Sequence, residues 1–413
     1  MSARSAGNSL SAIRAIVDEL NEECELSRIT RRNFVFGSAA VSLVGGRGLG
    51  QAAARGSSGT RLLLVGTQTS GTSKGVYSYS FDPAAGDLKL LGLATETENP
   101  TFLALSPNRR TVLVANELDT YEGKSSGAVS TYSLDQAKAR LTKISEVASG
   151  GGGTCHVAFD QTGRCAFAAN YGGGSAASFT VDVDGRLSQA VTFLQYTGHG
   201  PDAERQKGPH AHRVTVSPDS RFLFVNDLGL DVIHIYRLNP ATAELTQNEP
   251  AVWRSNPGAG PRALRFHPNG RFAYCVCEMA SSVIVLRWNA ASGGLETVQE
   301  VGMRPPEFQG TTGASDIVID REARFAYAAD RFDDIVVTFA ISPADGRLTL
   351  LKRTSCGGKV PRHLALDPSG RWLLVANQAS DNIAMLARDG RTGQLAESWK
   401  SFSLSKPQCL VFA

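Results

Sequence analysis

The sequence predicts an all-β chain folded as a seven-bladed β-propeller, and three observations carry the prediction. A hairpin-like stretch recurs. PRALRFHPNGRFAYCVCE, Pro261–Glu278, holds two apolar runs around a His-Pro-Asn-Gly turn, and related stretches begin at Pro100, Thr154, His212, Ser315 and Pro361. The arginine after each turn (Arg110, Arg164, Arg221, Arg271, Arg324, Arg371) returns at intervals of 47 to 57 residues. A repeat near that length made of short β-runs reads as one propeller blade per repeat. Finally, a seventh copy is split. RLLLVGTQ (Arg61–Gln68) matches the second strand of the hairpin, and GVYSYSFD (Gly75–Asp82) and LKLLGLAT (Leu88–Thr95) follow it. Its missing first strand is PQCLVFA, Pro407–Ala413. Pairing of that last strand with the first blade closes the ring and removes the open sheet edge. A single four-stranded blade cannot bury both faces, whereas blades packed about an axis bury one another.

The 413 residues thus make one propeller domain, residues 59–413, although length alone suggests two or three domains. Residues 1–58 fall outside the repeat. Ser9–Glu25 carries Leu10, Ile13, Ile16, Val17 and Leu20 at helical spacing, which predicts a short amphipathic helix. Arg31-Arg32, with Phe34 two places on and a small-residue apolar stretch behind it, looks like a twin-arginine export signal cleaved near Ala54. That reading implies a bacterial periplasm and the twin-arginine machinery as a partner; a disordered basic leader on a cytoplasmic protein is the alternative. The stretch from Val35 to Leu49 is short, glycine-rich and interrupted by Arg47, so no stable membrane insertion is expected. A formal charge of +3 with 20% charged residues gives no nucleic-acid or membrane footprint. Of seven cysteines, Cys24 leaves with the leader. No Cys-x-x-Cys occurs, and Cys275 and Cys277 are two apart on one strand, so buried free thiols are expected rather than a disulfide framework.

Hairpin geometry then locates a site. The start of the first strand and the end of the second share one edge, so Arg262 and Glu278 are predicted to meet across 16 residues of sequence. Two sets of equivalent positions gather at that end of the ring. One opens each innermost strand: Thr101, Cys155, His212, Arg262, Ser315, Arg362 and Gln408. The other lies seven places after each turn arginine: Glu117, Tyr171, Leu228, Glu278, Arg331 and Gln378. The frame repeats while these positions diverge into His, Arg, Glu and Tyr, as a single asymmetric site requires. GHGPDAERQKGPHAHRV adds His199, His210 and His212. His-x-His on a strand points both rings to one side; it is also a metal-ligand spacing, but no Cys, Asp or Glu pair is placed to complete a zinc site. Asn116, Asn170, Asp227, Asp330 and Asn377 precede the second set. Their ordinary role is to satisfy backbone donors where strand becomes loop, with a calcium site beside Glu117 or Glu278 as the alternative. The glycines of NYGGGS (Asn170–Ser175) fit a tight turn better than a phosphate loop.

NYGGGS, GPHAHRVTVSPDSRFLFVNDLGLD, GPRALRFHPNGRFAYCVCEMASSV and VPRHLALDPSGRWLLVANQASDNI together resemble the seven-bladed propeller lactonases, which include propeller-type 6-phosphogluconolactonase and carboxy-cis,cis-muconate cyclase. The resemblance covers about Arg61–Ala413. It implies a catalytic set of the His210/His212 pair, Arg262, Glu278 and Arg331, with no metal or other cofactor and a small-molecule lactone or organic acid as substrate. Tyr171, Glu117, Arg362 and Asp227 are the expected substrate-binding residues. The sequence departs from the family at Ala263, Asp316 and the ADRFDD stretch, residues 329–334.

The expected activity is metal-independent hydrolysis of an anionic sugar or organic-acid lactone. Permanent guanidinium cations at Arg262 and Arg331 suit a carboxylate or phosphate and a developing oxyanion. Glu278 or a histidine of the pair is the candidate base, and Arg262 beside Glu278 would keep that carboxylate ionised. No Gly-x-Ser-x-Gly elbow occurs, which argues against a serine nucleophile. A muconate-type cycloisomerase using the same Arg and Glu, and a non-catalytic binding propeller, are the rival readings.

Overall fold

A computed structural model describes residues 59–305 and 307–413. The leader assigned to residues 1–58, with its helix and twin-arginine stretch, lies outside the described residues. Within them the chain forms 28 strands and no helix, arranged as seven four-stranded antiparallel sheets. These are the seven blades that the repeat predicts. Six are built from consecutive strands. In the seventh, Pro407–Phe412 pairs with Arg61–Thr67, matching Leu63 with Phe412 and Val65 with Leu410, so the ring closes as the split repeat requires.

The innermost strands begin at Pro100, Thr154, Ala211, Pro261, Ala314, Pro361 and Pro407, and each neighbours the next around the axis. Seven apolar clusters fill the spaces between blades, each drawn from two adjacent sheets. Alternate residues of one strand therefore feed two different clusters. In Phe272–Cys277, Tyr274 and Val276 pack toward the following blade, while Ala273, Cys275 and Cys277 pack toward the preceding one. A strand buried on both faces reads as an unbroken apolar run, which is why the second strand of every repeat is the most legible part of the sequence. Cys155, Cys165, Cys275, Cys277, Cys356 and Cys409 are free thiols, all but Cys155 fully buried.

One irregularity recurs in every blade. The pairing of the innermost strand with its neighbour slips by one residue near its start: between Pro100 and Phe102, Thr154 and His156, Ala211 and Arg213, Pro261 and Ala263, Ala314 and Ile317, Pro361 and His363, and at Pro407–Cys409. Each slip is a β-bulge, which inserts an unpaired residue and re-aims its side chain. A second contact pins it: the backbone N–H at the end of the partner strand donates to the carbonyl just ahead of the bulge, as from Glu117 to Asn99, Tyr171 to Gly153 and Glu278 to Gly260 at 2.8–2.9 Å.

Gly260 shows what the bend demands. Its φ is +65°, and a Cβ there would lie 2.9 Å from Met279 Cγ. A left-handed L-residue costs about 1–2 kcal/mol, so Gly260→Ala is expected to lower the unfolding free energy by at least about that much. Urea denaturation of the purified variant checks it; an unchanged midpoint would contradict the stated role of the bend.

Candidate active site

The seven bulged residues are Thr101, Cys155, His212, Arg262, Ser315, Arg362 and Gln408, and all seven line one narrow axial cavity of about 40 Å3. This is the first set expected from sequence. Because the bulge interrupts the alternation of the strand, the next residue also faces the axis. Phe102, His156, Arg213, Ala263, Asp316 and His363 line the same cavity as a second tier. Simple alternation sends these residues to the opposite face, so the sequence reading missed the tier.

Glu278 is the electrostatic centre of the mouth. It is 2% exposed, and three guanidiniums converge on it. Arg262 Nη1 bonds Oε2 at 2.5 Å, Arg331 Nη2 bonds Oε1 at 2.8 Å, and Arg205 Nη2 also bonds Oε1. Burial alone would raise the Glu278 carboxyl, but Arg331, Arg262 and Arg205 outweigh it and hold the group well below the usual carboxylate range. Arg262 and Glu278 thus meet as hairpin geometry predicts. The arginines are also fixed from behind: Arg262 Nε donates to the Ser315 carbonyl at 2.8 Å, and Arg331 Nε to the Gly313 carbonyl at 3.0 Å. Sequence reasoning missed Arg205. It sits in the loop before His210, joined to Glu278 across 73 residues, and its only signal was the density of charge in PDAERQK.

Arg362 belongs to the cavity wall, and its Nε donates to Gln408 Oε1 at 3.1 Å. Burial and the neighbouring cations Arg262 and Arg331 lower its guanidinium to about 10, which leaves it charged at neutral pH. Glu117 lines the same cavity. Four guanidiniums therefore face two carboxylates around the mouth.

The two histidines part company. His212 lines the cavity, and burial followed by the Arg262 charge pushes its imidazole well below its ordinary value, so it is neutral at pH 7. His210 lies just outside the strand, beyond the bulge. Its ring stacks on Tyr171 at 4.4 Å, and its Nδ1 meets the Tyr171 carbonyl at 3.0 Å. Tyr171 also meets the His212 ring edge-on at 5.5 Å. The expected strand geometry of His-x-His does not apply, because the strand starts at Ala211, leaving His210 outside it, and His212 is its bulged residue; both rings still meet Tyr171. Asp227 does not line the cavity. It is fully buried, and its Oδ1 accepts from the backbone N–H groups of His210, Gly229 and Leu230 at 2.8–3.2 Å. Asn116, Asn170 and Asp330 likewise bond neighbouring backbone or side chains, the ordinary role of the Asx position. Among the described residues no three His, Cys, Asp or Glu side chains are grouped as metal ligands.

In the second tier, Asp316 joins Arg213 at 2.9 Å, His363 at 3.7 Å and Arg265 at 3.9 Å, and Arg213 Nε donates to His156 Nε2 at 2.9 Å. Burial would raise Asp316, but His363, Arg213 and Arg265 keep it ionised, while burial lowers His363 to about 4. Phe102 packs on the His156 ring at 4.0 Å.

Comparison with known proteins places this architecture. Residues 62–412 match the family described as "Lactonase, 7-bladed beta-propeller". The 6-phosphogluconolactonase of Bacillus subtilis is 32% identical over 348 residues, covering 84% of this chain and 97% of that protein. Among solved structures, the periplasmic gluconolactonase of Pseudomonas aeruginosa superposes with a TM-score of 0.81 at 36% identity, covering 86% of this chain and 99% of that one. A putative 6-phosphogluconolactonase of Bacteroides fragilis gives 0.80 at 33% identity, covering 87% and 99%. The repeat, the ring closure and these matches together show that the chain belongs to the seven-bladed β-propeller lactonase family.

Proposed function

We propose that the chain is a metal-independent lactonase acting on an anionic sugar or organic-acid lactone, with its chemistry at the axial mouth. The observation that carries this is the excess of positive charge there: Arg205, Arg262, Arg331 and Arg362 against Glu117 and Glu278. Buried charge that exceeds its partners favours a ligand carrying the opposite sign. The names of the relatives agree with a lactone as substrate.

In this reading Arg262 and Arg362 polarise the lactone carbonyl and stabilise the oxyanion that forms as water adds. His212 takes the proton of that water. Its imidazole makes no hydrogen bond to a described residue and is neutral, and a base must be both free and unprotonated. The ring C–O bond then breaks, and the leaving oxygen is reprotonated from the imidazolium. Glu278 is a poor base, since both its oxygens are engaged by guanidiniums and its proton affinity is depressed. Its role here is to hold Arg205, Arg262 and Arg331 in one geometry. Arg331 and Tyr171 border the mouth and orient the anionic end of the substrate, while His210 braces Tyr171.

A panel of sugar lactones tests the proposal. Arg262→Ala is expected to lose about 100- to 1000-fold in kcat/KM, the typical effect of removing one oxyanion donor, and Glu278→Gln to lose activity with all three arginines released. EDTA leaves the rate unchanged. Loss with EDTA would move the chemistry to a metal, and turnover of an unsaturated diacid in place of lactones would mark a cycloisomerase. A folded protein that turns over neither is the binding propeller.

The pH profile checks the base. His212 acts only when neutral and its proton affinity is lowered, so the enzymic rate stays flat as pH falls through about 6.5, the ordinary value for histidine, and drops only below it. An acid limb centred at or above 6.5, or one that persists in His212→Asn, contradicts this assignment.

We also propose that the twin-arginine-like stretch exports the folded propeller to the periplasm, where the Pseudomonas aeruginosa relative is named as residing. The double substitution Arg31→Lys with Arg32→Lys is expected to retain the protein in the cytoplasm, read by cell fractionation; unchanged distribution would favour the cytoplasmic alternative.

A further inference from the structure

The ADRFDD stretch, residues 329–334, departs from the family pattern and supplies the mouth with Arg331. Two of its carboxylates turn instead to a buried cation outside the axial cavity. Arg304 is 8% exposed. Its Nη2 lies 2.6 Å from Asp330 Oδ1, and its Nε lies 3.0 Å from Asp333 Oδ2. Nη1 donates to the Thr311 carbonyl, and the guanidinium stacks on the Phe308 ring at 4.0 Å. Asp330 is fully buried; it also accepts from Ser281 Oγ and from the backbone N–H groups of Phe332 and Asp333. A planar guanidinium with five donors joins two carboxylates and a carbonyl at once, which an ammonium on its stem does not.

The partners of Arg304 belong to two segments. Asp330 and Asp333 lie at and just past the end of the strand Phe325–Asp330. Phe308 and Thr311 lie in the linker between the strands Leu295–Gly302 and Ala314–Ile319. Five of the linkers between blades at this end are short (97–99, 149–153, 255–260, 356–360 and 404–406), whereas 303–313 and the Arg205-bearing 196–210 are long. Ordering a longer segment costs more conformational entropy, so a long linker keeps one shape where side chains tie it. The tied end leads directly to the mouth. Thr312 Oγ1 donates to the Met279 carbonyl at 2.5 Å, and the Ala314 N–H donates to the Glu278 carbonyl at 3.2 Å. Between them, the Gly313 carbonyl accepts both the backbone N–H and the Nε of Arg331, each at 3.0 Å. One carbonyl thus sets the direction in which Arg331 Nη2 reaches Glu278 at 2.8 Å. Phe332 closes over the same residue, since a Cβ at Gly313 would lie 2.4 Å from its Cδ2.

We propose that Arg304 is a positioning residue: by tying Thr311 to Asp330 and Asp333 it fixes the Gly313 carbonyl, and through that carbonyl the aim of Arg331 at the anionic end of the substrate. This rests on the orienting role given to Arg331 above. Arg304 does not line the axial cavity and acts only through its neighbour. A buried ion pair that served stability alone would affect every substrate alike. One that aims Arg331 affects anionic substrates most.

The test compares D-glucaro-1,4-lactone with D-glucono-1,4-lactone, the same ring with a hydroxymethyl in place of the carboxylate, in the purified chain. The wild type is expected to prefer the carboxylate-bearing lactone by at least about tenfold in kcat/KM, the scale of one charge-assisted hydrogen bond, and Arg331→Met to remove most of that preference. Arg304→Lys keeps a charge against Asp330 but loses the planar fork. Thr312→Val loosens the same linker without unpairing a buried charge. Each is expected to lower the preference by about threefold or more, chiefly through the KM of the anionic lactone. Added to Arg331→Met, Arg304→Lys is expected to lower it no further, because residues that act through one another are not additive. Equal losses on both lactones in both variants, an unchanged preference in both, or a full additional loss in the double variant overturns the proposal. If the wild type hydrolyses neither lactone, or shows no preference that Arg331→Met removes, the role given to Arg331 fails, and a crystal structure of Arg304→Lys decides the positioning separately. Arg331 Nε displaced from the Gly313 carbonyl sustains it, and an unmoved Arg331 overturns it.

Discussion

A single inserted residue, repeated seven times, organises this molecule's function. Each innermost strand carries a β-bulge near its start, and the bulge turns two consecutive side chains toward the axis where a regular strand would turn one. The blades around it are generic. Their strands are apolar on both faces and pack into seven equivalent interfaces. The bulge converts that generic ring into two stacked rings of independently chosen side chains, to which the ends of the second strands add Glu117, Tyr171, Glu278 and Arg331 and an inter-blade loop adds Arg205.

The electrostatics of the site follow from that placement. A charge on a strand buried on both faces is costly unless paired. Here guanidiniums meet at one end of the ring around a single carboxylate, Glu278, which cannot satisfy them all. Below them Asp316 gathers Arg213, Arg265 and His363 in a second network. Both tiers keep a surplus of positive charge, four guanidiniums against two carboxylates at the mouth and Arg213 with Arg265 against Asp316 below.

The fold was legible because its signal is repeated. Turn arginines, strand lengths and even the closing strand at Pro407 could be read by comparing the chain with itself. The Arg262–Glu278 pair was legible for the same reason, since both residues belong to one hairpin. What escaped was non-local or depended on broken alternation. Arg205 reaches Glu278 from an inter-blade loop with no counterpart in the other repeats. His156 and Arg213 sit one residue past a bulge that no turn residue announces, so comparison of the repeats did not single them out. Strand spacing did not describe the His210/His212 pair either, since His210 lies ahead of the strand and His212 is its bulged residue. Asp227 was set among the substrate-binding positions, yet its carboxylate holds the backbone of the turn that follows it. Position in a repeat does not reveal which way an Asx side chain turns.

Ring closure has a temporal consequence. Gln408 stands on the strand that pairs with Arg61–Thr67, so the last part of the propeller to leave the ribosome supplies part of the cavity wall. Domains fold as units during synthesis, and the closing pair makes the seven blades a single domain. The cavity comes into being only when the final strand docks. Completion of the cavity wall therefore waits on synthesis of the whole ring.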